Sequence, residues 1–358
     1  MVIESKNSNL YLVFLGAIAV FVLGVTLLQL KAVLMPLVIA FLLSIIFKPA
    51  ILWLRGKRVP MPIALFGVLI LSSAVLFLVG WVLFSSTQSF LEELPKYEAK
   101  ATVIAADLEA ALLRAASRFD VDVAEFQWSD AFQWSNVTNA VTTGVGSFLS
   151  FVSTTFLVLL FMLFILAGSG EMAEKVRVAF PPMYAEKIAD LVSNVDGQVR
   201  RYLVTKTVIS LATGVLTWLV LSLLGVDFPL IWGFLAFLLN YIPNIGSTIA
   251  VLFPFAVSLL QFETLVIPFV VIFGLGTVQL SLGNVVEPRV MGFRLNLSPL
   301  LILVSLILWG WLWGLWGMIL AVPITSTLKI LFENMEPLRP ISILMSGKVD
   351  TPPVDPST

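Results

Sequence analysis

The sequence predicts an all-α, multi-spanning membrane protein, and three observations lead to that fold class. Of the residues, 59% are hydrophobic and only 12% are charged, whereas soluble domains carry about 25% charged residues. Apolar runs of about 20 residues, the length that crosses a bilayer as a helix, recur along the chain. Two further apolar stretches are each interrupted by proline or glycine. We therefore expect six spanning helices and two interrupted, re-entrant helical hairpins, with amphipathic helices between spans 3 and 4 and between spans 4 and 5.

The composition excludes several classes of function. The sequence has no Cys and no His, which removes disulfides, cysteine nucleophiles, Ser–His–Asp triads and most zinc or haem sites. A net charge of −1 gives no case for binding nucleic acid. No G-x-x-x-x-G-K-[ST] loop occurs, so we do not expect ATP-driven transport by this chain alone. The sequence predicts a protein that is not an enzyme and has no cofactor or metal, which leaves secondary transport, facilitated diffusion or a channel.

The first predicted region, residues 1–84, holds spans 1 to 3 at residues 10–30, 33–54 and 62–84. A basic cluster lies at the end of span 2 and just beyond it, and consists of Lys48, Arg55, Lys57 and Arg58. Because positive residues favour the cytoplasmic side, this cluster places the N-terminus in the cytoplasm. Lys329 and Arg339 place the C-terminus there too.

The next predicted region, residues 85–143, is acidic, with nine Asp or Glu against four Lys or Arg between Glu92 and Asp130. This excess favours an extracytoplasmic position, and the apolar spacing favours amphipathic helices. Residues 126–129 and 132–135 repeat the letters FQWS. We interpret the repeat as an interfacial aromatic anchor, with a carbohydrate-stacking site as the alternative.

The rest of the chain divides into three predicted regions. Residues 144–206 hold span 4, at 148–167, and cytoplasmic amphipathic helices separated by Pro181 and Pro182. Residues 207–332 form the predicted transport core, with a span at 208–224, another at 265–282 and the two interrupted hairpins. Residues 333–358 are proline-rich and polar, and we expect a disordered cytoplasmic tail.

The interrupted stretches run from Pro229 to Pro254 and from Pro299 to Pro323, which are 25 and 24 positions. Irregular backbone persists at membrane depth only where it is buried in protein or lines a wet cavity. Corresponding breaks in two halves indicate an internal repeat and point to the binding site of a transporter. The charge distribution favours hairpins that re-enter from opposite faces, with full spans as the alternative.

Polar side chains near the breaks are the candidate substrate pathway: Asn240, Asn244, Ser247, Thr248, Gln279 and Asn284. Amide and hydroxyl groups there predict a hydrogen-bonding lining for a small polar solute. The alternative is that these groups cap the half-helices and satisfy the backbone freed at the break.

Glu287 and Arg289 flank Pro288 at a span end, which predicts a gate pair or an ion-coupling carboxylate, or alternatively an interfacial salt bridge. Proline and glycine mark the candidate hinges, which are Pro243, Gly246, Pro288, Gly292, Gly310, Gly314 and Gly317.

Four segments resemble the autoinducer-2 exporter family of bacterial membrane proteins. They are RRYLVTKTVIS at 200–210, NYIPNIGS at 240–247, GNVVEPRVMG at 283–292 and SPLLILVSLILWGWLWGLWGMILAVP at 298–323. The resemblance implies a bacterial inner-membrane exporter of the quorum-sensing signal autoinducer-2, assembled as a homo-oligomer of five copies with an elevator-like or hairpin-gated mechanism. The family motif positions are Asn240, Pro243, Asn244, Gly246, Glu287, Pro288, Arg289 and Gly292. Some relatives are sodium(lithium)/proton antiporters.

The residues favour the exporter over the antiporter. Autoinducer-2 is a small hydroxylated molecule that amide and hydroxyl groups can bind. An antiporter needs buried carboxylates, whereas Asp227, Glu263 and Glu287 lie at predicted span ends. The third hypothesis is a non-transporting membrane scaffold whose acidic region binds a partner. The expected partners of the exporter are an autoinducer-2-like solute, membrane lipid and further copies of the chain.

Overall fold

The computed structural model describes residues 3–118, 148–291 and 296–347, and helices joined by short connections make up most of them. An all-α polytopic membrane protein fits this architecture, which confirms the predicted fold class. Twelve α-helices lie in these ranges. In chain order they are α1 Ile3–Gln29, α2 Lys31–Gly56, α3 Met61–Arg118, α4 Phe148–Ala179, α5 Pro182–Leu223, α6 Pro229–Leu239, α7 Ile245–Gln261, α8 Val266–Gln279, α9 Glu287–Met291, α10 Pro299–Trp313, α11 Leu315–Glu333 and α12 Arg339–Met345. A π-helix, Leu280–Val286, joins α8 to α9, and a short 3₁₀ helix, Glu336–Leu338, precedes α12.

Five helical segments in the described ranges are long and apolar enough to cross a membrane. They are Lys31–Gly56, Met61–Leu78, Pro182–Leu223, Val266–Val290 and Leu315–Glu333. Shorter apolar helices, among them Pro229–Leu239 and Pro299–Trp313, accompany them. The chain is therefore a multi-pass membrane protein, while the count of six spans and the re-entry of the hairpins stay predictions.

The spans predicted at residues 62–84, 148–167 and 208–224 are parts of longer helices. Helix α3 has 58 residues, or about 87 Å at 1.5 Å per residue. It continues through residue 84 because no glycine or proline intervenes before Pro95, and that proline removes only one ladder hydrogen bond. The amphipathic segments therefore extend the spans as continuous helix. The repeated FQWS motif at residues 126–135 lies outside the described residues.

The chain forms two compact units. Unit 1 comprises residues 1–69, 155–205 and 291–358, and unit 2 comprises residues 70–154 and 206–290. The boundaries fall within α3, α4, α5 and α9. The predicted transport core is thus divided, because α6 and α7 belong to unit 2 whereas α10 and α11 belong to unit 1.

Aromatic and aliphatic side chains form the core of unit 2. Trp232 of α6 is buried with Leu221, Val271 and other side chains. Phe90 of α3 meets the ring of Trp232 edge-on, with the ring centroids 6.4 Å apart. Helices α5 and α6 approach closely, because a Cβ on Gly214 would lie 2.7 Å from the Gly233 carbonyl oxygen. The core therefore fixes α6 against α3, α5 and α8.

Unit 1 packs α2, the first part of α5, α10 and α11 around its own core. Trp313 is buried in this core with Tyr202 and Leu320. Its indole Nε1–H donates to the Leu27 carbonyl at 3.3 Å, which ties α1 to the end of α10.

Residues 336–347 fold onto unit 1, although the sequence predicts disorder from residue 333. The Ser298 N–H donates to the Met345 carbonyl at 3.0 Å, and the Gly347 N–H donates to the Asn296 carbonyl at 3.1 Å. Ser342 and Met345 are buried, so α12 has a packed face that the polar composition of the tail concealed. Residues 348–358 lie outside the described residues.

Candidate functional site

The first interrupted hairpin consists of α6 and α7 and returns to its starting point. The Asp227 N–H donates to Gln261 Oε1 at 2.9 Å, and Gln261 Nε2 donates to the Gly225 carbonyl at 2.7 Å. Thus the residues before α6 and the last residue of α7 are bonded to each other. Helix α6 has 11 residues, about 16 Å, or roughly half of a 30 Å hydrocarbon core. Helix α6 is thus too short to cross the hydrocarbon core by itself, and re-entry of the hairpin stays a prediction.

The break between α6 and α7 is a strained turn. Asn244 has φ 62° and ψ −54°, and the Ile245 N–H donates to the Pro243 carbonyl at 2.7 Å. A γ-turn with positive φ at a non-glycine residue is rare and unfavourable. Gly246 is required next, because a Cβ there would overlap the Leu239 carbonyl oxygen. Pro243 and Gly246 therefore lie at the hinge positions that the sequence predicts.

Two predicted pathway hydroxyls bond to the backbone of the break. Ser247 Oγ and Thr248 Oγ1 donate to the Asn244 carbonyl at 3.1 Å and 3.0 Å. These bonds go to a helix carbonyl, as the alternative interpretation expects for the backbone of the break, although no side chain caps the start of α7. The side chains of Asn244 and Thr248 are nevertheless exposed, and with Ile245 and Ile249 they line a shallow open depression. Thr248 can thus bond to the backbone and also face a solute.

Asn240 and Tyr241, on the other side of the break, are bonded to helix α5. Asn240 Nδ2 donates to Ser210 Oγ at 2.9 Å, and both residues are buried. The hydroxyls of Tyr241 and Thr207 lie 2.7 Å apart. The end of α6 is therefore held against α5 by side-chain hydrogen bonds.

Glu287 forms an ion pair with Lys206 of α5. Lys206 Nζ lies 2.7 Å from Oε1 and 2.9 Å from Oε2. The side chains are only 6% and 19% exposed. Among the residues that the structure describes, Lys206 is thus the ionic partner of Glu287 and Arg289 is not.

The expected pairing of Glu287 with Arg289 fails for a geometric reason. Side chains two positions apart on a helix do not face each other, and Arg289 is exposed. The other predicted residues nearby lie on α8 and the π-helix, with Gln279 half-buried and Asn284 exposed. Pro288 follows the π-helix, and Gly292 lies outside the described residues.

The second interrupted hairpin, α10 and α11 of unit 1, repeats the local design of the first. Gly314 ends α10 with φ 66° and donates its N–H to the Gly310 carbonyl at 2.8 Å. A Cβ on Gly317 would overlap the Trp309 carbonyl oxygen, as a Cβ on Gly246 would overlap that of Leu239. Each hairpin begins at a proline and carries a glycine near the start of its second helix. This correspondence supports the predicted internal repeat.

The acidic extension of α3 holds both ends of the first hairpin. Tyr97 Oη donates to Asp227 Oδ2 at 2.5 Å, and Lys100 Nζ donates to the Gln261 carbonyl at 3.0 Å. Burial of the Tyr97 side chain, followed by its hydrogen bond to Asp227, raises the pKa of the phenol well above its usual value of 10.0. The neutral phenol is therefore the form that donates to Asp227.

Sequence reasoning missed the contribution of α5. Lys206 lies in the segment RRYLVTKTVIS at 200–210, for which the sequence indicates no partner. Lys206, Thr207 and Ser210 lie within about one helical turn, and each bonds to a residue of the break or to Glu287. Polar residues at positions 206, 207 and 210 beside an apolar span were the available signal, because unpaired polar groups in hydrocarbon are costly. Within the described ranges, no group of three or more acidic side chains is placed to hold a metal ion.

Comparison with known proteins gives a consistent family. The chain matches the AI-2E family transporter model over residues 11–336. It is 32% identical over 346 residues to the AI-2 transport protein TqsA of Escherichia coli K12, which covers 96% of this chain and 97% of the relative. It is 33% identical over 331 residues to a Haemophilus influenzae protein whose name gives transport as a provisional role, covering 92% of this chain and 94% of the relative. The chain belongs to the AI-2E transporter family.

Proposed function

We propose that this protein exports autoinducer-2, or a similar small polar metabolite, across the bacterial inner membrane. The observation that carries the proposal is the break of the first hairpin, where the exposed side chains of Asn244 and Thr248 line a depression. The printed name of the Escherichia coli relative, an AI-2 transport protein, supports the choice of solute.

The chemistry of the depression suits an uncharged solute with several hydroxyl groups. The carboxamide of Asn244 can both donate and accept hydrogen bonds, and the Thr248 hydroxyl can do the same. Ile245 and Ile249 supply apolar contact on the same surface. Among the described residues, none of the side chains that line this depression is charged, so they offer an ion no counter-charge. A small polyol has hydroxyl groups for the two polar side chains and a carbon skeleton for the two isoleucines.

A pair of matched variants tests the site. Thr248→Val and Thr277→Val each remove a hydroxyl that donates to a carbonyl four residues earlier, Asn244 at 3.0 Å and Phe273 at 2.8 Å. Only Thr248 lies at the break. We expect Thr248→Val to slow autoinducer-2 transport in proteoliposomes by about fivefold to tenfold, the value of one hydrogen bond of about 1 kcal/mol or slightly more. Thr277→Val should keep the wild-type rate; equal rates for both variants would reject this site.

The second candidate function is sodium(lithium)/proton antiport. The observation that favours it is the largely buried carboxylate of Glu287, whose two oxygens lie within 2.9 Å of the Lys206 ammonium nitrogen. Glu287→Gln should then abolish sodium-driven pH changes in vesicles that contain the protein. Full retention of those pH changes, or their absence in the wild type, would exclude the antiporter.

The assembly and orientation of the chain belong to the same proposal. We expect a homo-oligomer of five copies with both termini in the cytoplasm. Native mass spectrometry of the protein in detergent gives the copy number directly, and a mass other than that of five chains would contradict it. Protease protection of tags at each terminus in sealed vesicles gives the orientation.

A further inference from the structure

The part of helix α5 that lies in unit 2 bonds two separate elements within about one turn. Its Thr207 and Ser210 bond to Tyr241 and Asn240 at the break of the first hairpin. Its Lys206 bonds to Glu287, the first residue of α9. The break and the start of α9 therefore share one short stretch of α5.

The π-helix sets the direction of the Glu287 side chain. The Glu287 N–H donates to the Leu282 carbonyl, five residues earlier, instead of the four residues of an α-helix. If residues 280–286 were α-helical, the register would shift by one residue and Glu287 would rotate by about 100° around the helix axis. Pro288 cannot donate the following ladder hydrogen bond. The ion pair with Lys206 thus depends on the π-helix, and such segments are frequent at functional sites.

The charges make this contact different from its neighbours. Lys206 is 5% exposed, and removal of one partner of a buried ion pair leaves the other charge uncompensated. The neighbouring contacts, Thr207 with Tyr241 and Ser210 with Asn240, are between neutral groups. Charge-assisted hydrogen bonds are roughly twice as strong as neutral ones. Lys206 therefore makes the strongest polar contact of this stretch of α5.

We propose that the Lys206–Glu287 ion pair is a latch that keeps the first break packed against α5, and that its release frees Asn240 and Tyr241. Lys206 is a positioning residue, since it acts on the break through α5. The latch rests on the proposed function only in that its opening would free Asn240, a predicted pathway residue, beside the solute site. Its test requires no solute.

The absence of cysteine from the sequence allows the test to use single introduced thiols. Ile242 lies in the break and is 3% exposed, whereas Ile245 is 47% exposed. We expect Ile242→Cys to react slowly with a maleimide in otherwise wild-type protein. Adding Lys206→Gln or Glu287→Gln should raise the rate at least tenfold. The charge swap Lys206→Glu with Glu287→Lys should restore slow reaction, and Ile245→Cys should react rapidly in every background.

A second buried lysine supplies the matched control. Lys329 of unit 1 is also 5% exposed and pairs with Glu333 at 2.6 Å. Lys329→Gln should leave the Ile242→Cys rate unchanged. Gel filtration and thermal unfolding of each variant establish that it is folded.

Three results would overturn the latch in folded protein. They are an unchanged rate in Lys206→Gln and Glu287→Gln, an equal rise in Lys329→Gln, and a charge swap that stays fast. The proposed function fails separately: expected labelling rates together with no autoinducer-2 transport would keep the latch and reject the exporter. Autoinducer-2 transport together with labelling rates that do not change when the ion pair is removed would keep the exporter and reject the latch.

Discussion

At the scale of single residues, the tight packing of Gly246 on the Leu239 carbonyl determines whether the first break can form. A Cβ at position 246 would overlap backbone atoms, which cannot move aside as the end of a side chain can. We predict that Gly246→Ala lowers the stability of the protein by about 1–3 kcal/mol or more, the usual cost of overpacking. Thermal unfolding in detergent measures this.

The control for that prediction is Gly276→Ala in α8, where an added Cβ meets no atom within 4 Å. Alanine is also the better helix former there. We expect its melting temperature to equal or slightly exceed that of the wild type. Equal melting temperatures for both alanine variants would show that position 246 has more space than the structure gives it.

Tyr97 predicts a pH dependence with a definite sign. Because the folded protein raises the pKa of the phenol above 10, the unfolded chain loses this proton at lower pH than the folded chain. The stability that Tyr97 contributes is therefore fully present below pH 10 and is lost as the pH rises above it. The melting temperature of wild type should exceed that of Tyr97→Phe at pH 8, and the difference should shrink by pH 11.

The control for Tyr97 is Tyr184→Phe, which removes a phenol that is 53% exposed. Since both variants share every other titrating group with the wild type, the comparison isolates the phenol. A difference between wild type and Tyr97→Phe that stays constant or grows from pH 8 to pH 11 would contradict the raised pKa.

The sequence predicts the role of a residue well where the residue's own chemistry determines that role. It predicts the role poorly where a partner that is distant in sequence determines it. Pro243 lacks an N–H and Gly246 lacks a Cβ, so the sequence alone predicts a break in the helix at these residues. The partner of Glu287 depends instead on how α5 packs, 81 positions away in sequence. Proximity in sequence favoured Arg289, and helical geometry excludes that pairing.

At the scale of elements, the start of the second hairpin is held by the end of α12. Ser298 precedes α10, and its N–H donates to the carbonyl of Met345, the last residue of α12. We predict that ending the chain after residue 335 destabilises unit 1, since the bonds to Met345 and Gly347 are lost. Limited proteolysis should then cut near residues 292–298 much faster than in the full chain.

Ending the chain after residue 347 provides the matched control, because the bonds of Ser298 to Met345 and of Gly347 to Asn296 both remain. Its proteolysis pattern should match that of the full chain. If both shortened chains resist the protease equally, the contacts of α12 do not stabilise the start of the second hairpin.

The existence and type of the helices could be predicted from apolar runs, but several helix ends could not. Hydropathy falls after residue 84, yet a fall in hydropathy does not end a helix. Helix α3 therefore continues to Arg118. Likewise, the two prolines of residues 336–347 and the polar residues that follow them suggested disorder, although Ser342 and Met345 are buried.

At the scale of the whole molecule, the two units each contain one interrupted hairpin. The similar spacing of prolines, 25 and 24 positions, predicted this repeat, and the matching glycine contacts at Gly246 and Gly317 support it. The division into units could not be predicted, since its boundaries cross continuous helices instead of loops. A boundary inside a helix leaves no change of composition in the sequence.

The cellular distribution of autoinducer-2 tests the central claim most directly. Cells that make autoinducer-2 but lack their own transporters of this family would carry wild-type protein, Thr248→Val or neither. With wild-type protein we predict a lower internal and a higher external level, and a smaller change with Thr248→Val. Unchanged internal and external levels, with the wild-type protein present in the membrane, would contradict export of this signal.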